Sequence, residues 1–124
     1  MTKVYLDINY PKNLVTALQL VHQLQNPPQL DILRTAHFEG SGSDSVVFLF
    51  DRSKKGIDIV TEKHFEAGYK VFAFRLNSVD KIDLYQLSMT VITLWPKILK
   101  TLNNESSPFI FTYNYLASTL KKVK

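Results

Sequence analysis

Residues 46–76 read VVFLFDRSKKGIDIVTEKHFEAGYKVFAFRL, and the order of residue types within them decides the fold class. The stretch opens on an apolar run rich in β-formers and closes on a second one, YKVFAFRL (69–76). Each has the length and composition of a buried strand. Between them, residues 55–67 have helical spacing, with Ile59, Val60 and Phe65 expected to face inward. Gly68 suits the left-handed position just past a helix end. Strand, helix, strand is the unit of a parallel sheet, because parallel neighbours need a long crossover.

The same alternation extends in both directions. VYLDI (4–8), LDILRTAHF (30–38) and FIFTYNY (109–115) read as further strands. A helix is expected from near Pro11, with Leu14, Ala17, Leu18, Val21 and Leu24 on its buried face and Pro27 and Pro28 ending it. A longer one is expected over 81–102, with Leu84, Leu87, Val91, Leu94, Trp95, Ile98 and Leu102 as its stripe and Pro96 kinking or dividing it. The expected order is strand, helix, strand, strand, helix, strand, helix, strand. It predicts an α/β three-layer sandwich with a central, mainly parallel sheet, in one domain spanning 1–124.

Composition agrees with one core. The chain has 124 residues, 45% hydrophobic and 21% charged, without repeats or low-complexity tracts. No run approaches the roughly 18 apolar residues of a membrane span, so no membrane role is expected. The absence of cysteine removes disulfides and thiolate chemistry and suits a reducing cytoplasm. The first residues, MTKVYLDINYP, lack an apolar signal core. Net charge is +4, a mild basic excess that favours polyanions. Part of it lies in a basic C-terminal tail from about 117, whose KKVK ending reads as frayed and solvated.

In parallel α/β sheets, ligands collect beyond the carboxyl ends of the strands, near the switch in strand order. Two predicted strands end there in an acid: KVYLDIN (3–9) at Asp7 and SVVFLFD (45–51) at Asp51. Carboxylates brought together repel unless a cation intervenes, and Mg²⁺ or Mn²⁺ prefers such oxygen ligands. Acids at strand ends also begin turns and cap helices. Spacing alone leaves both readings open.

The order of these segments resembles the PIN-like domain of VapC-type toxin ribonucleases. LDIN (6–9) is similar to the family's first-strand DxN signature, and VVFLFDRS (46–53) to the strand bearing its last acid. The Glu-Ala-Gly of residues 66–68, LWPKILKTLNN (94–104) and SPFIFTYNY (107–115) follow in the family's order, so the likeness spans about 3–113. It implies a Mg²⁺- or Mn²⁺-dependent endoribonuclease, the toxin half of a toxin–antitoxin pair, with RNA as substrate, a cognate antitoxin as partner and a homodimeric state. Asp7 and Asp51 would be metal ligands, and Asn9 would orient the first ligand or a bound water. The family's middle acid would fall to Glu39, or else to Asp44. The chain departs from the pattern in two places. HFEGSGSDS (37–45) replaces a short helix that carries the middle acid, and Leu49 stands where relatives usually have threonine. These departures keep a second reading in view, the same fold with a decayed metal site acting through protein partners. A third is an accessory DNA-processing nuclease.

Other candidates carry less. GSGSDS (40–45) lacks the Lys-Ser/Thr pair of a phosphate loop and enters a strand. Arg52, Lys54 and Lys55 follow Asp51 and are candidate RNA-phosphate contacts, Arg52 foremost because its planar fork suits phosphate. The bland reading of Lys54 and Lys55 is a solvated turn. His37 lies close to the expected site. His22 reads as a surface or boundary residue, and His64, within EKHFE, as part of a solvated face. Tyr5 reads as core packing, Tyr10 as cover for the helix start, and the Trp95 and Met89 stripe as core or dimer surface.

Overall fold

The structure, a computed structural model, describes residues 2–35, 45–51, 56–75, 83–115 and 118–124, with side chains for all of these except 51 and 56–58. The chain runs β1 (Thr2–Asp7), α1 (Lys12–His22), β2 (Leu30–Thr35), β3 (Val46–Asp51), α2 (Gly56–Glu66), β4 (Lys70–Arg75), α3 (Leu84–Asn104), β5 (Phe109–Asn114), β6 (Thr119–Lys122). The strands form one sheet in the order β2-β1-β3-β4-β5-β6, parallel throughout except for β6, which pairs antiparallel with β5. The expected α/β class with a mainly parallel sheet is what the chain adopts. The order of the first eight elements also agrees.

The strands alternate side chains between two cores, which is why their sequences are apolar nearly throughout. On one face Val4, Leu6, Val46, Phe48, Phe72, Phe74 and Phe109 pack under α1 and α3. Phe48 stacks on Phe72 at 5.0 Å and lies 5.8 Å from Trp95 of α3. On the other face Tyr5, Val47, Leu49, Val71 and Ile110 pack with Phe65 of α2. Helices on both faces make three layers. Each fully buried phenylalanine contributes about 1.5–3 kcal/mol, so the aromatic side beneath α1 and α3 is the larger source of stability. α2 ends as Gly68 predicts: with φ at 95° it lets its own N–H donate to Phe65 O at 3.0 Å while Tyr69 N–H donates to His64 O at 3.1 Å.

Several expectations are corrected. The buried face of α1 is Leu14, Val15, Leu18 and His22, while Ala17, Val21 and Leu24 are exposed, Leu24 by 85%. Both stripes are apolar, so periodicity finds the helix without choosing its phase. In α2 Ile59 and Val60 are exposed and Thr61 is buried. His22 is no surface residue: it is 6% exposed and accepts at Nε2 from Trp95 Nε1–H at 2.8 Å. An indole N–H only donates, so the proton sits on Nδ1, which lies 3.0 Å from Gln25 Oε1 and donates to it. Pro96 does not divide α3, which is continuous over its 21 residues from a capping box made by Asp83 and Gln86. The basic C-terminus is not frayed, because Leu120 is buried within β6 and Val123 N–H donates to Ile110 O at 2.8 Å. Among the described residues no helix is long and apolar enough to cross a membrane.

Candidate functional site at the carboxyl rim of the sheet

Five parallel strands finish at one rim. Register aligns Asp7 of β1 with Thr35 of β2, and Asp51 of β3 with Arg75 of β4 and, beyond it, Asn114 of β5. The order switches between β1 and β3, since β1 lies between β2 and β3 and the chain leaves it towards opposite edges. Leu6 pairs with Phe48, so β3 continues to position 51 two residues past the level of Asp7. At a rise of about 3.3 Å per residue, the two positions are offset by about 7 Å along adjacent strands.

Why the chain turns at Asp7 is visible atom by atom. Tyr10 N–H donates to Asp7 O at 2.9 Å, closing a β-turn over residues 7–10. Asn9 N–H donates to Asp7 Oδ1 at 3.3 Å, the local bond that makes aspartate a turn initiator. Asn9 Nδ2 reaches Asp7 Oδ2 at 3.5 Å, the outer limit for such a contact, and donates to Phe50 O at 3.3 Å. One amide thus bridges the carboxylate of β1 and the backbone of β3 immediately before Asp51.

Two residues not singled out as site candidates fix this turn. Tyr10 is fully buried and its hydroxyl donates to Leu49 O at 2.9 Å, pinning the turn to β3. Burial, then the nearby Tyr115 and Asp7, push its phenol well above the ordinary value, so it stays a donor. Arg34, on β2, donates from Nε to Tyr10 O at 2.9 Å and from Nη2 to Ile8 O at 2.8 Å, a two-pronged clamp across the turn. The signal available was Arg34 itself, one of two charges, with Asp31, in an otherwise largely apolar strand. Its partners lie 24 and 26 residues away and were not legible.

The remaining candidates fall as follows. Asp7 and Asn9 are brought together, and the backbone of Asp51 lies on the neighbouring strand. Glu39, Asp44, His37, Arg52, Lys54 and Lys55 lie outside the described residues, as does the side chain of Asp51. Among the described residues, no three His, Asp or Glu side chains form a group that could hold a metal ion. Leu49, the departure from threonine, is buried against the α2 layer. His64 is half-buried, not solvated, and lies edge-on to Tyr69 at 5.5 Å. Burial and then Lys63 hold its imidazole below the usual value, with Asp7 acting in the opposite sense.

No protein-family model, curated protein or solved structure matches the chain. The rim itself is therefore the ground for a functional reading.

Proposed function

We propose that the chain is a PIN-like, Mg²⁺- or Mn²⁺-dependent endoribonuclease, the toxin of a toxin–antitoxin pair, whose site is the carboxyl rim of β1 and β3. The observation that carries this reading is the Asn9 amide, which reaches both Asp7 Oδ2 and Phe50 O. It ties the first acid to the strand that ends in the second. Asp7 is half-buried at the rim and offers the hard oxygen such cations prefer. Asp7 and Asp51 would hold the cation, with Glu39 or Asp44 as the third acid. When bound, the cation supplies an acidified water and neutralises charge on the phosphate. The chain's own part is orientation: Asn9 aims the Asp7 carboxylate, and Tyr10 and Arg34 hold the turn that carries both. Arg52, Lys54 and Lys55 would receive the flanking RNA phosphates.

The test is cleavage of RNA and of single-stranded DNA by purified protein with Mn²⁺. Losing a group that only supports a metal ligand costs roughly 10- to 100-fold. Asn9→Ala is expected within that range, and Asp7→Asn and Asp51→Asn beyond it. Cleavage that persists in Asp7→Asn removes the assignment, and cleavage of DNA alone replaces the ribonuclease by a DNA-processing enzyme.

One observation favours a second reading, a binding module of the same fold: both Asp7 carboxylate oxygens already accept from Asn9 within the turn. Calorimetry with Mn²⁺ separates the two. A module without a metal site gives no heat at a defined stoichiometry.

A further inference from the structure

We infer that a cavity at the amino rim of the sheet, opposite the candidate nuclease site, binds a small monocarboxylate with an apolar body. The cavity has a volume of about 200 Å³. It lies where β1, β2 and β4 begin, at Thr2, Leu30 and Lys70, and where α1 and α3 end. An engineered apolar cavity of ~150 Å³ holds benzene, so the space suits a molecule about the size of benzoate.

Lys70 supplies the charge. It is half-buried, and its ammonium, which carries three donors, makes one bond, to Leu102 O at 3.4 Å, beyond the usual range for N–H···O. No Asp or Glu lines the cavity, and among the described residues no carboxylate pairs with Lys70. A cation partly withdrawn from water beside an acid-free space is a place for an anion.

The buried histidine supplies a second donor. Trp95 Nε1–H occupies His22 Nε2 at 2.8 Å, so the ring's one proton sits on Nδ1 and goes to Gln25 Oε1 at 3.0 Å. With its oxygen turned to His22, Gln25 has its Nε2 donors to offer the cavity it lines. Both imidazole nitrogens are engaged, so His22 is neither a base nor a ligand here; it sets the orientation of the amide.

The apolar wall selects the rest of the molecule. Leu30, Leu99 and Leu102 are half-buried and line the same space, where they would cover a short hydrocarbon body while its carboxylate meets Lys70. The carboxyl end of α3 adds partial negative charge beside Leu102. That disfavours a phosphate dianion and leaves a singly charged carboxylate as the better fit, while Lys70 repels a metal cation. The inference stands whether or not the opposite rim is a nuclease site.

Calorimetric titration of the full chain with benzoate and with 4-methylpentanoate, each against its neutral amide, tests it. At least one carboxylate is expected to bind one per chain with a Kd of about 1 mM or tighter, and at least 10-fold more tightly than its amide. Lys70→Gln should lose that 10-fold preference while keeping the wild-type circular dichroism. Lys97→Gln removes the same charge from an exposed position on α3 outside the cavity and should leave binding intact. In nuclear magnetic resonance spectra the bound carboxylate should shift the side-chain amides of Gln25 and of Asn103, which also lines the cavity. The inference is overturned if neither carboxylate binds below about 20 mM, if the amides bind as tightly as the acids, or if Lys70→Gln leaves the preference unchanged.

Discussion

Arg34 shows how much of the candidate site rests on one side chain. Its guanidinium spans two carbonyls that flank Asn9, which a lysine ammonium on a flexible stem cannot do at once. Arg34→Lys is expected to cost about 1 kcal/mol in urea unfolding and to speed exchange of the Tyr10 amide, whose acceptor is Asp7 O. Unchanged exchange would mean that the turn holds without the clamp. His64 gives a pH dependence whose sign follows from its surroundings. Burial and Lys63 lower its folded value below the ordinary 6.5, so the unfolded chain takes up the proton first as pH falls. Stability contributed by neutral His64 is then present above about pH 6.5 and is lost progressively below it, until the folded imidazole also protonates. His64→Gln should flatten that part of the stability–pH curve; urea midpoints at several pH values measure it, and a curve unchanged by the substitution rejects the assignment.

At the level of elements, what could be read from sequence was whatever depends on short-range pattern. Gly68 marked the end of α2 because the closing turn needs a positive φ there. The apolar runs at 46–50 and 71–74 marked strands because a parallel strand is buried on both faces. What could not be read depended on partners distant in sequence. The phase of α1 is decided by the sheet and by Trp95, 73 residues from His22, and the exposed stripe of the same helix is as apolar as the buried one. Pro96 misled for a different reason. Its ring frees the carbonyl of Ile92, but both residues lie on the exposed side of α3, where water can take up that carbonyl. The two acids of the rim were legible as strand ends. The use Asn9 makes of the Phe50 carbonyl was not, because it joins residues 41 apart.

At the scale of the molecule the sheet has two edges, and they are finished differently. At the β2 edge, Asp31 and Arg34 put charges on the strand, a common way of discouraging further pairing. β5 would otherwise present Phe111 and Tyr113 on an open edge, and β6 closes it. Two exposed ion pairs accompany this closure: Lys122 with Glu105 at 2.9 Å, and Lys124 with Glu62 at 2.8 Å, the latter lysine also 5.2 Å from the centre of the Phe65 ring. Exposed pairs of this kind contribute about 0–1 kcal/mol each. The pairing of β6 and the burial of Leu120 must therefore supply most of what the C-terminus adds. Removing residues 118–124 should lower the melting temperature and bring on concentration-dependent aggregation, as an unpaired edge becomes available to other chains. Lys122→Ala combined with Lys124→Ala should leave the melting temperature within a few degrees of wild type, and 1 M NaCl should act on the intact protein like that double substitution. If the double substitution destabilised the fold as much as the truncation does, the C-terminus would be held by charge and the account of β6 as an edge closure would fail.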